Sequence, residues 1–301
     1  MNEIDWLLDS DPSLRWQVLR DLTDSSTDGV AAERSKVATE GWGARLLALQ
    51  ARDGQWGGST YMQEWTSTAW ALSLLRDLGL DPDSEHARNA VALVSEHGRW
   101  EHENEPFFEG EVEPCINGLA VAIGAYFGQD MRPVVERLLG EQLEDGGWNC
   151  QTENGATVSS FGTTIAVLEG LLQYEQSTGA SAVVTGARER AHEYLLERRL
   201  FRRKSTGEVI DPDFTRFAFP TFYFYDVLRG LDYLRSAGVP PDERAAEAIE
   251  LVRSKREAGG RWPLEHVHEG AMPVEIDDGV GRPSRWNTLR AMRVLRWAET
   301  G

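Results

Sequence analysis

One phrase recurs along the chain and limits what it can fold into. Glu141-Gln-Leu-Glu-Asp-Gly-Gly-Trp-Asn-Cys150 closes an amphipathic segment, turns on Gly146-Gly147 and sets a tryptophan directly after the turn. A glycine-terminated helix followed by a large aromatic is a C-terminal cap with a hydrophobic anchor. Gln50-Ala-Arg-Asp-Gly-Gln-Trp-Gly-Gly58 repeats the phrase, and Arg256-Glu-Ala-Gly-Gly-Arg-Trp-Pro263 repeats it again. Glu96-His-Gly-Arg-Trp-Glu101 is a shorter copy, and Glu197-Arg-Arg-Leu-Phe201 a degenerate one. The copies stand roughly 45 to 60 residues apart, a period typical of repeat architectures.

Between the copies, two kinds of helical segment alternate. Segments 66–78, 116–127, 160–174, 220–234 and 285–297 are mostly apolar. Segments 86–96, 132–143, 182–199 and 243–256 carry one polar face. Residues 1–8 and 31–52 read as further amphipathic helices, and the stretch after Pro12 as a further apolar one. No run sustains period-two alternation, so no substantial sheet is expected. A helix apolar all round is buried on every side, and an amphipathic one keeps a wet face. Six buried helices inside six half-wet ones satisfy both, which predicts an all-α (α/α)6 toroid over 1–301 as a single domain; a linear solenoid is the rival arrangement. No Pro/Gly/Ser-rich linker divides the 301 residues.

Composition narrows the partners. A net charge of −18 repels phosphate, which excludes nucleic acid and anionic membrane surfaces as natural partners. No apolar run is long enough to span a bilayer, and no N-terminal signal pattern appears. Two cysteines, Cys115 and Cys150, make no disulfide framework, so a reducing cytoplasm is the expected location.

The phrases Gln50…Asp53-Gly54-Gln55-Trp56-Gly57 and Glu141-Gln142…Asp145-Gly146-Gly147-Trp148 resemble the Gln-Trp repeats of squalene–hopene cyclases. The whole chain is similar to the terpenoid cyclase and protein prenyltransferase superfamily, whose members share a six-plus-six helical toroid. It looks like the single-toroid, squalene cyclase-like bacterial proteins. The resemblance implies chemistry at the barrel mouth formed by the loops that precede the inner helices.

Four groups fall there. Glu113-Pro-Cys115 resembles the Asp-x-Cys ligand pair of prenyltransferase zinc sites, and Cys150 lies on the loop to the next inner helix. Zinc takes Cys, His and carboxylate ligands. The position matching the family's histidine is Gly162. Packed thiols acting as small apolar groups are the alternative. Glu275-Ile-Asp277-Asp278 resembles the Asp-x-Asp-Asp acid of class II terpene cyclases, and the alternative there is a solvated loop. Protonating an alkene needs a carboxyl kept protonated by burial or by a neighbouring acid. The resemblance makes Asp277 the acid, assisted by Glu275 and Asp278, with Asp226 in reserve.

The third group is the aromatic run from Asp211 to Asp226. Read as helical, it points rings in several directions, so that Phe219, Phe222 and Tyr223, with Trp65 and Trp70, would line a cavity and stabilise a cation; rings that simply fill the barrel are the alternative. The fourth is charged: Glu105, Glu109, Glu111, Arg216, Arg282 and Arg285. Arg285 at an inner-helix N-terminus suits a diphosphate, and salt bridging is its alternative. No Asp-Asp-x-x-Asp magnesium motif, P-loop or dinucleotide fingerprint is present. Zinc or magnesium remain the possible cofactors. The expected function is folding and carbocation cyclisation of an isoprenoid or other hydrophobic small molecule. A zinc-dependent prenyltransferase-like enzyme and a non-catalytic hydrophobic-ligand-binding toroid are the alternatives.

Overall fold

The computed structural model describes residues 2–62 and 64–300. Among them are thirteen α-helices: α1 (Glu3–Leu8), α2 (Pro12–Leu22), α3 (Thr27–Ser35), α4 (Gly41–Ala48), α5 (Thr68–Leu78), α6 (Glu85–His97), α7 (Pro114–Tyr126), α8 (Arg132–Gly140), α9 (Phe161–Thr178), α10 (Ala182–Glu197), α11 (Val227–Ser236), α12 (Ala246–Ser254) and α13 (Arg285–Ala298). The inner ring is α2, α5, α7, α9, α11 and α13. The remaining helices wrap it. One two-residue antiparallel pair, Trp262–Pro263 with Pro283–Ser284, is the sheet content among the described residues. Among the described residues no helix is long and apolar enough to cross a membrane.

The ring closes, which rules out the solenoid. Trp16 on α2 donates its indole N–H to Leu78 O at the end of α5 (2.9 Å), and Tyr126 on α7 donates to Leu80 O (2.7 Å). Helices α7 and α9 cross so closely that a Cβ on Gly118 would lie 2.6 Å from the Ala166 carbonyl carbon, so the crossing requires glycine there. Arg229 on α11 binds Glu169 on α9 through two hydrogen bonds of 2.8 and 2.7 Å. The seam between the chain's two ends is tied as firmly. Arg293 on α13 donates to Gln17 (2.8 Å), Arg296 to Asp21 O (2.8 Å), and Arg256 pairs with Glu3.

Each full copy of the repeated phrase does the same mechanical work. Trp56, Trp148 and Trp262 are buried to 1% exposure or less. Each indole donates to a carbonyl ten residues earlier, Leu46, Leu138 or Val252, at 2.6–2.7 Å. Each backbone N–H donates to a threonine at the start of the next inner helix: Thr68, Thr164 or Thr288. The glutamine of the phrase reaches outward. Gln50 bridges Gly54 O and Ala90 O, and Gln142 bridges Gly146 O and Ala187 O. One phrase thus caps an outer helix, locks it to the next inner helix and grips the next outer one.

Two helices expected from the sequence are interrupted. Segment 31–52 breaks into α3, a 3-10 turn (Lys36–Ala38) and α4. The break is set at Gly41, where φ is +65° and a Cβ would strike the Asp11 carboxylate that accepts the Trp42 N–H at 2.7 Å. Segment 220–234 is helical only from Val227. Asp226 has extended backbone angles and caps α11 by accepting the Arg229 N–H, so the aromatic run before it is a loop.

Candidate functional site

A cavity of about 840 Å³ runs along the axis of the ring, lined by residues from both ends of the inner helices. Its two ends differ in chemistry.

At the end where the inner helices begin, Tyr61, Trp70, Phe219, Phe222, Tyr223 and Trp286 line the cavity. They hold one another: Tyr61 and Trp70 lie 5.2 Å apart, Trp70 and Phe222 5.0 Å, and Phe219 stacks on Trp286 at 4.2 Å. Phe222 adopts φ +44°, in the left-handed region that a bulky residue rarely enters. Arg229 grips its carbonyl at 2.8 Å and keeps the ring aimed inward. Trp65 stands outside the lining, stacked on Phe222 at 5.0 Å with its indole bound to Glu269 O. His268 packs against Trp65 at 4.6 Å and meets Pro220 O at 3.0 Å; burial lowers its pKa to about 4, so the ring is neutral and donates. His268 lies far along the chain from Trp65, and only the chain's return over the mouth brings it to this collar.

Beside the collar stand Cys115, Cys150 and Glu113, whose ligand atoms lie within 4.8 Å of one another. The sulfurs are 2.6 Å apart, Cys115 Sγ is 3.5 Å from Glu113 Oε2, and Thr163 donates to Cys150 Sγ at 3.3 Å. The contact between the two sulfurs lowers the pKa of Cys150 and raises that of Cys115. The donor set fits a soft, thiolate-binding metal such as zinc, with one position open. Gly162 faces the cavity nearby. A Cβ there would meet only Tyr223 O, at 3.8 Å, so no side chain of its own completes the set.

Below the collar the lining departs from the apolar interior expected, from Arg229 near the start of α11 to Asp21 near the end of α2. Glu169, Arg229, Arg76, Asp77, Arg290, Asp232, Arg293 and Asp21 point inward from helices otherwise made of core residues. Glu169 accepts from Arg229 and is held below the usual carboxylate range by Arg229, Arg76 and Arg290 against the cost of burial. Asp232 accepts from Arg235 at 2.8 Å, with Arg290 at 3.7 Å. Arg293, 6% exposed, pairs with Asp21; burial lowers its pKa to about 10, and among the described residues its Nε has no acceptor. Arg290 and Arg293, three residues apart on α13, are charges set in an otherwise apolar stretch, but helical periodicity alone does not say that they face a cavity.

The remaining candidates lie around the mouth but outside the cavity lining. Asp277 accepts from Ser284 Oγ at 2.7 Å, and burial raises its pKa to about 7. Glu275 and Asp278 are exposed. Asp226 is fully buried, its oxygens taken by the N–H groups of Ala218 (3.0 Å) and Arg229 (2.8 Å); burial raises its pKa. Arg285 stacks on Trp6 at 4.5 Å and donates to Trp6 O, away from the cavity. Arg216 pairs with Asp213 at 2.9 Å.

The fold and site define an all-α toroid with an amphipathic axial cavity. No protein-family model and no curated protein match the chain. Solved structures do. The type II terpene cyclase MstE from Scytonema is 17% identical over 94% of this chain and 85% of that one, with a TM-score of 0.46. A substituted form of the same cyclase, in complex with geranylgeranyl dihydroxybenzoate (substrate), is also 17% identical, over 96% and 86%, with a TM-score of 0.47. A protein from Actinoplanes is 18% identical over 96% and 90%, with a TM-score of 0.47.

Proposed function

We propose that the toroid holds a prenyl-type hydrophobic small molecule in its axial cavity, with the hydrocarbon packed against the aromatic collar. One observation carries the reading: six aromatic side chains converge on one end of a cavity of about 840 Å³. That volume falls in the range of roughly 300–1,000 Å³ typical of small-molecule sites. Binding of farnesol, followed by tryptophan fluorescence and calorimetry, tests it. Saturable binding weakened at least tenfold by Trp70→Ala and Phe222→Ala supports it, and absence of saturable binding removes it.

Cyclisation through a carbocation is the catalytic form of this reading. Each collar ring facing a desolvated cation would contribute about 0.5–2 kcal/mol. Asp277 is the acid, because at a pKa of about 7 it retains its proton at mildly acidic pH. Its carboxyl would have to reach the cavity that it does not line. Glu275 and Asp278 are its neighbours, and Asp226 is the reserve acid. Incubation with farnesyl diphosphate, geranylgeranyl diphosphate and squalene, followed by mass spectrometry, tests the chemistry. Turnover abolished by Asp277→Asn supports Asp277, and turnover abolished only by Asp226→Asn supports the reserve. Turnover of none of the three removes cyclisation while leaving binding intact.

The second reading is a zinc-dependent prenyltransferase-like site, favoured by the three converging donors Glu113, Cys115 and Cys150. When bound, the metal would serve as a Lewis acid. The chain's own residues would orient it: Thr163 by its hydrogen bond to Cys150, and the start of α7 by fixing Cys115. Tight thiolate binding predicts near-stoichiometric zinc in the purified protein, and less than about a tenth per chain ends this reading.

A further inference from the structure

The wall of the cavity reverses the sign of the molecule. The chain carries −18 overall, yet seven arginines face the cavity against five carboxylates. One of those carboxylates, Glu113, stands beside the thiols at the collar, and another, Glu169, is taken by Arg229 through two hydrogen bonds. Toward the end where the inner helices finish, Asp21 is shared by Arg20 and Arg293, Asp232 by Arg235 and Arg290, and Asp77 serves Arg76. Among the described residues no carboxylate pairs with Arg34. Its guanidinium donates only to neutral acceptors, Gly79 O at 2.9 Å and Tyr126 Oη at 3.0 Å.

Charge of this kind inside a barrel is costly unless something offsets it. Six helix C-termini also converge here, and their carbonyls attract cations, which accounts for part of the cluster. Arg34 capping Gly79 is an instance. Capping does not explain Arg293 or Arg290, which lie about one and two turns inside the C-terminal end of α13. Arg290's carboxylate partner stands 3.7 Å away and its Nη1 donates to Ala218 O at 2.9 Å; Arg293 donates to Gln17 and pairs with Asp21, while its Nε has no acceptor among the described residues. Arg34, Arg290 and Arg293 all line the same open space, and planar guanidinium forks match the oxygens of a phosphate or a carboxylate.

We propose that this arginine-lined end of the cavity binds the oxyanion head of the ligand whose hydrocarbon lies at the aromatic collar. The ligand therefore stands head-down along the barrel axis, with Arg34, Arg290 and Arg293 as the head's partners. The inference rests on the hydrophobic-ligand reading for the tail, while the anion site has its own test. Inside an acidic protein, such a site selects anionic amphiphiles over neutral ones by local charge, which salt screens little at buried positions.

The experiment compares farnesol, farnesoate, farnesyl diphosphate and inorganic pyrophosphate by calorimetry on the full chain, with Arg34→Gln and Arg293→Gln variants. Either farnesyl anion is expected to bind at least tenfold more tightly than farnesol, and which one gains more separates a carboxylate head from a phosphate head. Arg34→Gln, at a half-buried position, is expected to erase most of that gain, so that the ratio of anion to farnesol affinity falls toward one. This variant keeps the test valid should Arg293→Gln fail to fold. Pyrophosphate binding that depends on Arg34, without any farnesol binding, supports the anion site while removing the hydrophobic reading. Equal affinity for farnesol and both anions, or anion affinity untouched by Arg34→Gln, overturns the proposal.

Discussion

Replacing Asp277 by Asn changes how the stability of this protein depends on pH. Burial raises the Asp277 carboxyl from its usual 3.8 to about 7, even though Ser284 donates to it. The folded protein therefore holds this proton more tightly than the unfolded chain. The stability contributed by the protonated carboxyl is fully present below pH 3.8 and is lost as pH rises through about 7. At about 1.36 kcal/mol per tenfold change in proton affinity, the whole loss is roughly 4 kcal/mol, and about two-thirds of it falls between pH 5 and 8. Asn cannot ionise and keeps one oxygen for the Ser284 hydroxyl, so the variant escapes that loss. Other titrating groups are common to both proteins and cancel in the comparison. Urea unfolding at pH 5 and pH 8 measures the difference. The expected result is that wild type loses about 1–3 kcal/mol more than Asp277→Asn over this interval, the lower figure allowing for a carboxyl that is not wholly enclosed. Parallel profiles for the two proteins would show that burial does not hold the proton, and Asp277 would then be charged near neutrality and unfit as an acid.

Other perturbations separate the scaffold from the site. Trp148→Ala empties a fully buried position in the repeated phrase and is expected to cost about 3–5 kcal/mol in urea unfolding. Trp65→Ala, at a half-buried ring outside the cavity lining, is expected to cost far less; equal losses would mean that the phrases are not the anchors of the fold. Glu169→Gln leaves Arg229 buried beside a neutral amide and is expected to destabilise by about 3–5 kcal/mol. A loss below about 1 kcal/mol would indicate that water or another carboxylate replaces Glu169, and that the charged end of the barrel is not dry.

The fold was legible because the repeated phrase states it locally. A helix stop, a tryptophan and a threonine at the next helix start recur together, and alternating wet and dry helices allow few closed arrangements. The breaks were less visible. Gly41 reads as an ordinary helical glycine until Asp11, thirty residues away, is seen to occupy the space beside it. Asp226 reads as a residue inside an aromatic helix, although it is the cap that starts one. The site was legible in half. Cys115, Cys150 and Glu113 come together, a grouping suggested by the resemblance of Glu113-Pro-Cys115 to a prenyltransferase ligand pair, and Phe219, Phe222 and Tyr223 line the cavity from a loop in place of the expected helix. The charged interior was not legible, because helical periodicity separates wet faces from dry ones but does not tell bulk water from a lined cavity. Arg290 and Arg293 look the same from the sequence in either setting.

A crystal structure of the protein grown with farnesyl diphosphate tests the central claim most directly. The account predicts a single chain of density along the barrel axis, its hydrocarbon within about 4.5 Å of Trp70, Phe219 and Phe222 and its head among Arg34, Arg290 and Arg293. Density on the outer surface, or a barrel closed by its own side chains with no ligand inside, would contradict it.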